Sequence, residues 1–169
     1  MTLRRREFLH RTALGVGGLL VSVPRAGAAL APPESFDPYA LVPLGRTPLK
    51  VSRFCLGTGM RGGNRASNHS RLGRAALEGL IRGSFDRGTR LFDLADLYGT
   101  HPFVREAVKG VPRDRYTLLT KIWPNKEEWV TPSGGAREEV DRFRRELGTD
   151  TLDICLIHCM LNERWPEDL

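Results

Sequence analysis

The chain has 169 residues, enough for one domain, and its 40% apolar and 27% charged content excludes both a disordered tract and a disulfide-dense miniprotein. Its formal charge is +6, but residues 1–28 carry +4 of that through five Arg and one Glu. The remainder mixes signs without a Lys/Arg-rich run, which argues against a nucleic-acid docking surface.

The N-terminus opens on Arg4-Arg5-Arg6-Glu7-Phe8-Leu9, passes through an apolar, Gly-rich stretch from Thr12 to Val23, and ends on Pro24-Arg25-Ala26-Gly27-Ala28. A charged head, a short apolar middle and a small-x-small tail make a secretory signal. As a helix the apolar stretch spans roughly 18 Å, short of the ~30 Å hydrocarbon core, so no stable membrane anchor is expected. The Arg5-Arg6-x-Phe8-Leu9 core resembles the twin-arginine signal. That resemblance implies export of a folded protein by the twin-arginine machinery to the periplasm or an equivalent extracytoplasmic space. Cleavage is expected after Ala28, with Ala31 the alternative, and residues 29–40, rich in Ala, Pro and acids, form a spacer.

From Leu41 the chain alternates. Leu41-Val42-Pro43-Leu44 and Leu49-Lys50-Val51 flank a Gly/Pro turn and predict a β-hairpin. Phe54-Cys55-Leu56 is a strand stopped by Gly57-Thr58-Gly59, and a polar loop runs on to Ser70. Leu77, Leu80, Ile81 and Ser84 or Phe85 have the spacing of a buried helical stripe, which Gly88 ends. Leu91-Phe92 enters a second strand closed by Asp93, and a short helix is expected from Pro102 to Val108. Tyr116 to Lys121 forms a third strand. Ala136, Val140, Phe143 and Leu147 trace another helix, ended by Gly148, before a fourth strand from Leu152 to His158.

Short apolar strands joined by helices give the βαβ pattern of a parallel sheet, as in a (β/α)8 barrel or an open doubly wound sheet. No G-x-G-x-x-G follows the first strand, which disfavours the dinucleotide fold of the second kind. Polar residues interrupt the strands at matching places: Asp93 ends the second, Lys121 the third and His158 the fourth, with Tyr98 in the loop behind Asp93. In an α/β barrel reactive groups converge from the C-terminal strand ends. Leu91 and Asp93 share a face, as do Leu119 and Lys121, and Leu156 and His158, so three polar heads meet at one rim if those faces point inward. Each alone has an ordinary structural role, as turn cap, snorkelling cation, packed aromatic or core imidazole. Their equivalent placement favours a site. The odd number of cysteines, Cys55, Cys155 and Cys159, leaves at least one thiol unpaired. Cys155, His158 and Cys159 lack metal-ligand spacing, so no metal site is expected and the cysteines read as small buried apolar residues.

Phe92-Asp93-Leu94-Ala95-Asp96-Leu97-Tyr98-Gly99 resembles the aldo/keto reductase signature F-D-T-A-x-x-Y-G, with Leu94 where Thr is usual. Thr120-Lys121 and Leu156-Ile157-His158 resemble that family's next two motifs, in order. Gly45-Arg46-Thr47, Gly57-Thr58-Gly59 and Leu147-Gly148-Thr149-Asp150 resemble its hairpin, its first loop and the approach to its fourth strand.

The resemblance implies an NAD(P)H-dependent reduction of a small carbonyl substrate to an alcohol. Tyr98 is then the proton donor, Lys121 the cation beside it, Asp93 the partner of Lys121, and His158 the group that orients the carbonyl. A tyrosine in water titrates near ~10 and needs a neighbouring cation to exchange protons near neutrality. Gly57, Thr58, Gly59 and Asp93 are the implied cofactor contacts, and NADP is preferred over NAD by family habit. The other function class is a non-catalytic nicotinamide-binding barrel acting as a sensor or regulatory subunit. A closed barrel of this kind takes eight strands and typically ~250 residues. Residues 41–169 supply the hairpin and about four β/α units, so a truncated N-terminal half-barrel is expected, inactive alone and poor in cofactor affinity, with a half-barrel that dimerises as the alternative.

Overall fold

The computed structural model describes residues 35–160 and residue 163. The expected signal and the first half of the spacer, residues 29–34, lie outside the described residues. A β-hairpin comes first: β1 (Leu41–Pro43) pairs antiparallel with β2 (Lys50–Ser52), with Val42 opposite Val51. Four further strands, β3 (Cys55–Gly57), β4 (Leu91–Asp93), β5 (Thr117–Ile122) and β6 (Ile154–Ile157), form one parallel sheet in that order. Helices α1 (Arg74–Asp86), α2 (His101–Ala107) and α3 (Gly135–Leu147) make the three crossovers. Sequential parallel strands joined by helices are the unit from which an eight-stranded barrel is wound.

All three helices pack on one face of the sheet. In β5 the residues Leu118, Thr120 and Ile122 are buried beneath them, whereas Leu119 and Lys121 point the other way and are only half-buried. The core between sheet and helices holds Leu77, Ile81, Phe92, Val104, Leu118 and Leu147, with a smaller cluster of Ile122, Trp129 and Phe143 beside it. The opposite face carries Leu91, Asp93, Leu119 and Lys121, and no helix among the described residues covers it.

Two expectations need correction. Leu80, placed in the buried stripe of α1, is exposed, because only the Leu77–Ile81 flank of that helix meets the sheet. The cysteines are free, and Cys155 and Cys159 are exposed rather than buried. The exposure of the two cysteines follows from position: no strand among the described residues pairs with the outer edge of β6.

Candidate active site

The four polar residues singled out in the sequence meet on the uncovered face of the sheet. Asp93 is the last residue of β4 and lies opposite Leu119 of β5. Lys121 lies two residues further along β5, so its ammonium leans back across the strands. It donates to the Asp93 carboxylate and, at 2.9 Å, to the Leu94 carbonyl. The same Nζ stands 5.1 Å from the centroid of the Tyr98 ring, within the range of a cation–π attraction.

Tyr98 closes a 3-10 turn, Asp96–Tyr98, directly after β4. Its hydroxyl lies 3.4 Å from His158 Nε2, and the two rings meet edge to face at 5.4 Å. A contact of 3.4 Å is long for a hydrogen bond to a phenol. His158 follows β6 and continues its ladder by donating its backbone N–H to the Ile122 carbonyl at 2.8 Å. Burial, and then the charge of Lys121, hold the imidazole below its ordinary pKa, with Asp93 partly opposing them. His158 Nδ1 has no hydrogen-bond partner among the described residues.

The residues of the first loop, Gly57, Thr58 and Gly59, take different places around Asp93 and Tyr98. Gly57 stands opposite Asp93, and a Cβ added to it would meet nothing within 4 Å. That open backbone beside Asp93 fits the close approach of a flat cofactor ring. Thr58 is fully buried, and both its N–H and its hydroxyl, at 3.1 and 3.0 Å, donate to the Asp93 carbonyl. A second contact at 2.9 Å joins Thr58 Oγ1 to Thr100 Oγ1. Its side chain therefore pins the Asp93 backbone instead of facing a ligand. Gly59 lies against the Tyr98 ring: a Cβ there would fall 2.2 Å from Tyr98 Cζ, and one on Gly62 would fall 2.4 Å from Cδ1. Behind Tyr98, Gly99 takes φ +63°, and any side chain there would strike the Arg65 carbonyl at 2.0 Å. Gly59, Gly62 and Gly99 thus permit the loop and the phenol to nest.

Three features escaped the sequence reading. Trp123, two residues past Lys121, stacks edge-on to His158 with ring centroids 5.6 Å apart. The glycine seat of Tyr98 has no sequence signal beyond the glycines themselves. A set of buried charges behind the sheet, centred on Arg142, was also missed.

The aldo/keto reductase family model matches residues 53–164, more than half of the chain and all of this site. The chain belongs to the aldo/keto reductase family. Among curated relatives it is 31% identical over 134 residues to the NADH-specific methylglyoxal reductase of Escherichia coli (strain K12), which covers 69% of this chain and 41% of that protein. It is also 31% identical over 91 residues to an aldo-keto reductase of Mycobacterium avium (strain 104), covering 53% of this chain and 28% of that one. A thermostable aldo-keto reductase crystallised with the inhibitor epalrestat matches 70% of the chain and 42% of its own length, with a TM-score of 0.56 and 25% identity. An aldo/keto reductase from Brucella melitensis shares the fold at a TM-score of 0.55 and 21% identity, over 77% of this chain and 45% of that one. The chain spans less than half the length of these relatives. Its four-stranded α/β parallel sheet is the part of the fold that these aldo-keto reductase structures share with it.

Proposed function

We propose that the whole protein reduces an aldehyde or ketone to an alcohol with a reduced nicotinamide cofactor, and that Tyr98 supplies the proton. One observation carries this reading: Tyr98 lies between the Lys121–Asp93 pair and His158 on the uncovered rim of a sheet of the aldo/keto reductase family. When bound, the nicotinamide supplies the hydride that adds to the carbonyl carbon. Gly57 and Asp93 are the proposed side of the cradle nearest it, with the backbone of Thr58 and Gly59 behind.

The residues of the chain do the rest. A carbonyl oxygen entering the gap between the Tyr98 hydroxyl and His158 Nε2 comes within reach of both. With its proton on Nε2, His158 donates to that oxygen and orients it, and the depressed imidazole pKa keeps the ring neutral for this role. Tyr98 gives its hydroxyl proton to the oxygen as negative charge develops there, leaving a phenolate that solvent reprotonates. Lys121 supplies a fixed cation beside that phenolate. Asp93 holds Lys121 in place and balances its charge.

NADPH is the proposed cofactor by family resemblance, with NADH the competitor because the Escherichia coli relative is named for NADH. The substrate class is small carbonyl compounds, and methylglyoxal enters the test panel on the same ground. The assay is oxidation of NADPH or NADH by the whole protein with that panel. Tyr98→Phe is expected to abolish reduction while cofactor binding remains measurable. Full turnover by this variant would remove Tyr98 from the mechanism.

Residues 1–28 are proposed as a twin-arginine signal and 29–40 as a spacer, with residues from 41 onward forming the catalytic barrel. The Arg5-Arg6 pair followed by Phe8-Leu9 supports this reading. Replacing both arginines with Lys is expected to leave the protein in the cytoplasm, and undiminished export would count against it.

A further inference from the structure

Directly behind the rim, on the helix-covered side of the sheet, lies a chain of buried charges that the proposed reaction does not use. Asp96 opens the turn that ends in Tyr98 and is only 3% exposed. It accepts from Arg65 Nη2 at 2.8 Å and from Arg142 Nη2 at 2.7 Å. Arg142, on α3, also donates to Glu139 at 2.8 Å and to Glu146. Glu146 in turn meets His101 Nδ1 at 2.9 Å, and His101 Nε2 meets Thr120 Oγ1 at 2.8 Å. Thr120 is the residue before Lys121. A continuous polar path therefore runs from the Tyr98 turn, through one guanidinium, to the strand that carries Lys121.

Burying such a set is expensive. Ion pairs removed from water recover their desolvation cost only with excellent geometry, and well-packed apolar residues often serve stability as well or better. Here Glu139 is fully buried and Arg142 is 8% exposed, so both ions incur that cost. What the set provides that apolar packing does not is direction. A planar guanidinium fork fixes its carboxylate partners in angle as well as distance. Burial alone would push Glu139 and Glu146 up, but contacts from Arg142, Thr131 and His101 outweigh it and hold both carboxylates ionised.

We infer that Arg142 is a positioning residue for the proposed reduction: through Asp96 it sets the turn that carries Tyr98, and through Glu146, His101 and Thr120 it sets the strand that carries Lys121. The inference rests on the roles proposed above for Tyr98 and Lys121. Misplacing a reacting group by about 1 Å can cost on the order of a hundredfold in rate, so a residue that never touches substrate can still act on kcat.

The test is Arg142→Lys in the whole protein, which keeps the charge and removes the fork. The kcat for an aldehyde is expected to fall at least roughly tenfold, with KM and cofactor Kd within about twofold of wild type and an unchanged circular dichroism spectrum. Guanidinium added to Arg142→Ala is expected to restore part of kcat, and ammonium at the same concentration is not. A second readout needs no turnover: with 3-fluorotyrosine at position 98, the fluorine resonance is expected to shift or broaden in Arg142→Lys. If Arg142→Lys does not fold, Thr120→Val breaks the far end of the path, with a smaller loss of kcat that Thr120→Ser recovers. Wild-type kcat in a folded Arg142→Lys, or in Thr120→Val, overturns the inference, as does an unmoved fluorine resonance. Full turnover by Tyr98→Phe would instead sink the proposed function, while the fluorine resonance still reports whether Arg142 holds the Tyr98 turn.

Discussion

Lys121 reaches across the sheet from β5 to the end of β4, where its ammonium is held by the Asp93 carboxylate and the Leu94 carbonyl and stands over the face of Tyr98. The Lys121 side chain is 13% exposed and that of Asp93 is 38% exposed, so one side of the pair stays open to a ligand. In the proposed reaction the carboxylate aims the cation rather than removing it from use.

Lys121→Met should cut kcat by two orders of magnitude or more, because the phenolate loses its fixed cation; single electrostatic donors of this kind are worth about 10²–10³ in rate. Asp93→Asn keeps the shape and one acceptor but loosens the aim, so a smaller fall in kcat is expected. Steady-state kinetics of the two variants with one aldehyde checks the order. Wild-type kinetics in Asp93→Asn would make it a turn residue only.

The imidazole of His158 should titrate below the ordinary histidine value near ~6.5. It is then neutral at a pH where a free histidine is already charged, so the acid limb of any His158-dependent activity lies lower than that value. Two variants should move the titration in opposite senses. Lys121→Met removes a cation that disfavours the imidazolium, so the pKa rises. Asp93→Asn removes an anion that favours it, so the pKa falls further. A proton NMR titration of the ring resonances reads both, and shifts of the same sign would refute the electrostatic account.

These residues were legible because the sheet repeats. Asp93, Lys121 and His158 each break an apolar strand at the same topological place, and strand alternation puts each on the face away from Phe92, Leu118 and Ile157. Arg142 was not legible for a reason equally physical. Glu139, Arg142 and Glu146 repeat with the period of the apolar stripe Ala136, Val140, Phe143 and Leu147, one position before Val140, Phe143 and Leu147, and charges on a helix are ordinarily solvated. The partners that draw Arg142 and Glu146 inward are Asp96 and His101, more than forty residues away in sequence. Periodicity reports that a helix has a face, not what covers it. The same limit explains Leu80, Cys155 and Cys159, whose exposure depends on which neighbours the sheet and helices meet.

Gly59→Ala should displace the Tyr98 ring, because the new methyl would fall 2.2 Å from Cζ. Overpacking of this size costs typically about 1–3 kcal/mol, and the ring is the part that can give. A fall in kcat of roughly tenfold or more is expected, with thermal stability only modestly reduced. Gly63→Ala is the control in the same loop, since a Cβ there meets nothing within 4 Å. Equal kinetics in the two variants would show that the seat does not position the phenol.

The cysteines should separate by reactivity. Burial, and then the nearby Asp93 charge, push the Cys55 thiol up to about 11, against the smaller opposing pull of Lys121 and a hydrogen bond to the Asp93 backbone. The thiolate is the nucleophile, and at pH 8 only about one Cys55 in a thousand carries it. Cys159 is exposed beside His158. Limiting iodoacetamide at pH 8, followed by peptide mass spectrometry, should therefore label Cys159 well before Cys55. Asp93→Asn removes one cause of the raised thiol, so Cys55 labelling should quicken in that variant. Rapid labelling of Cys55 in the wild type would mean that β3 opens to solvent, and with it the Gly57–Asp93 edge proposed to receive the cofactor.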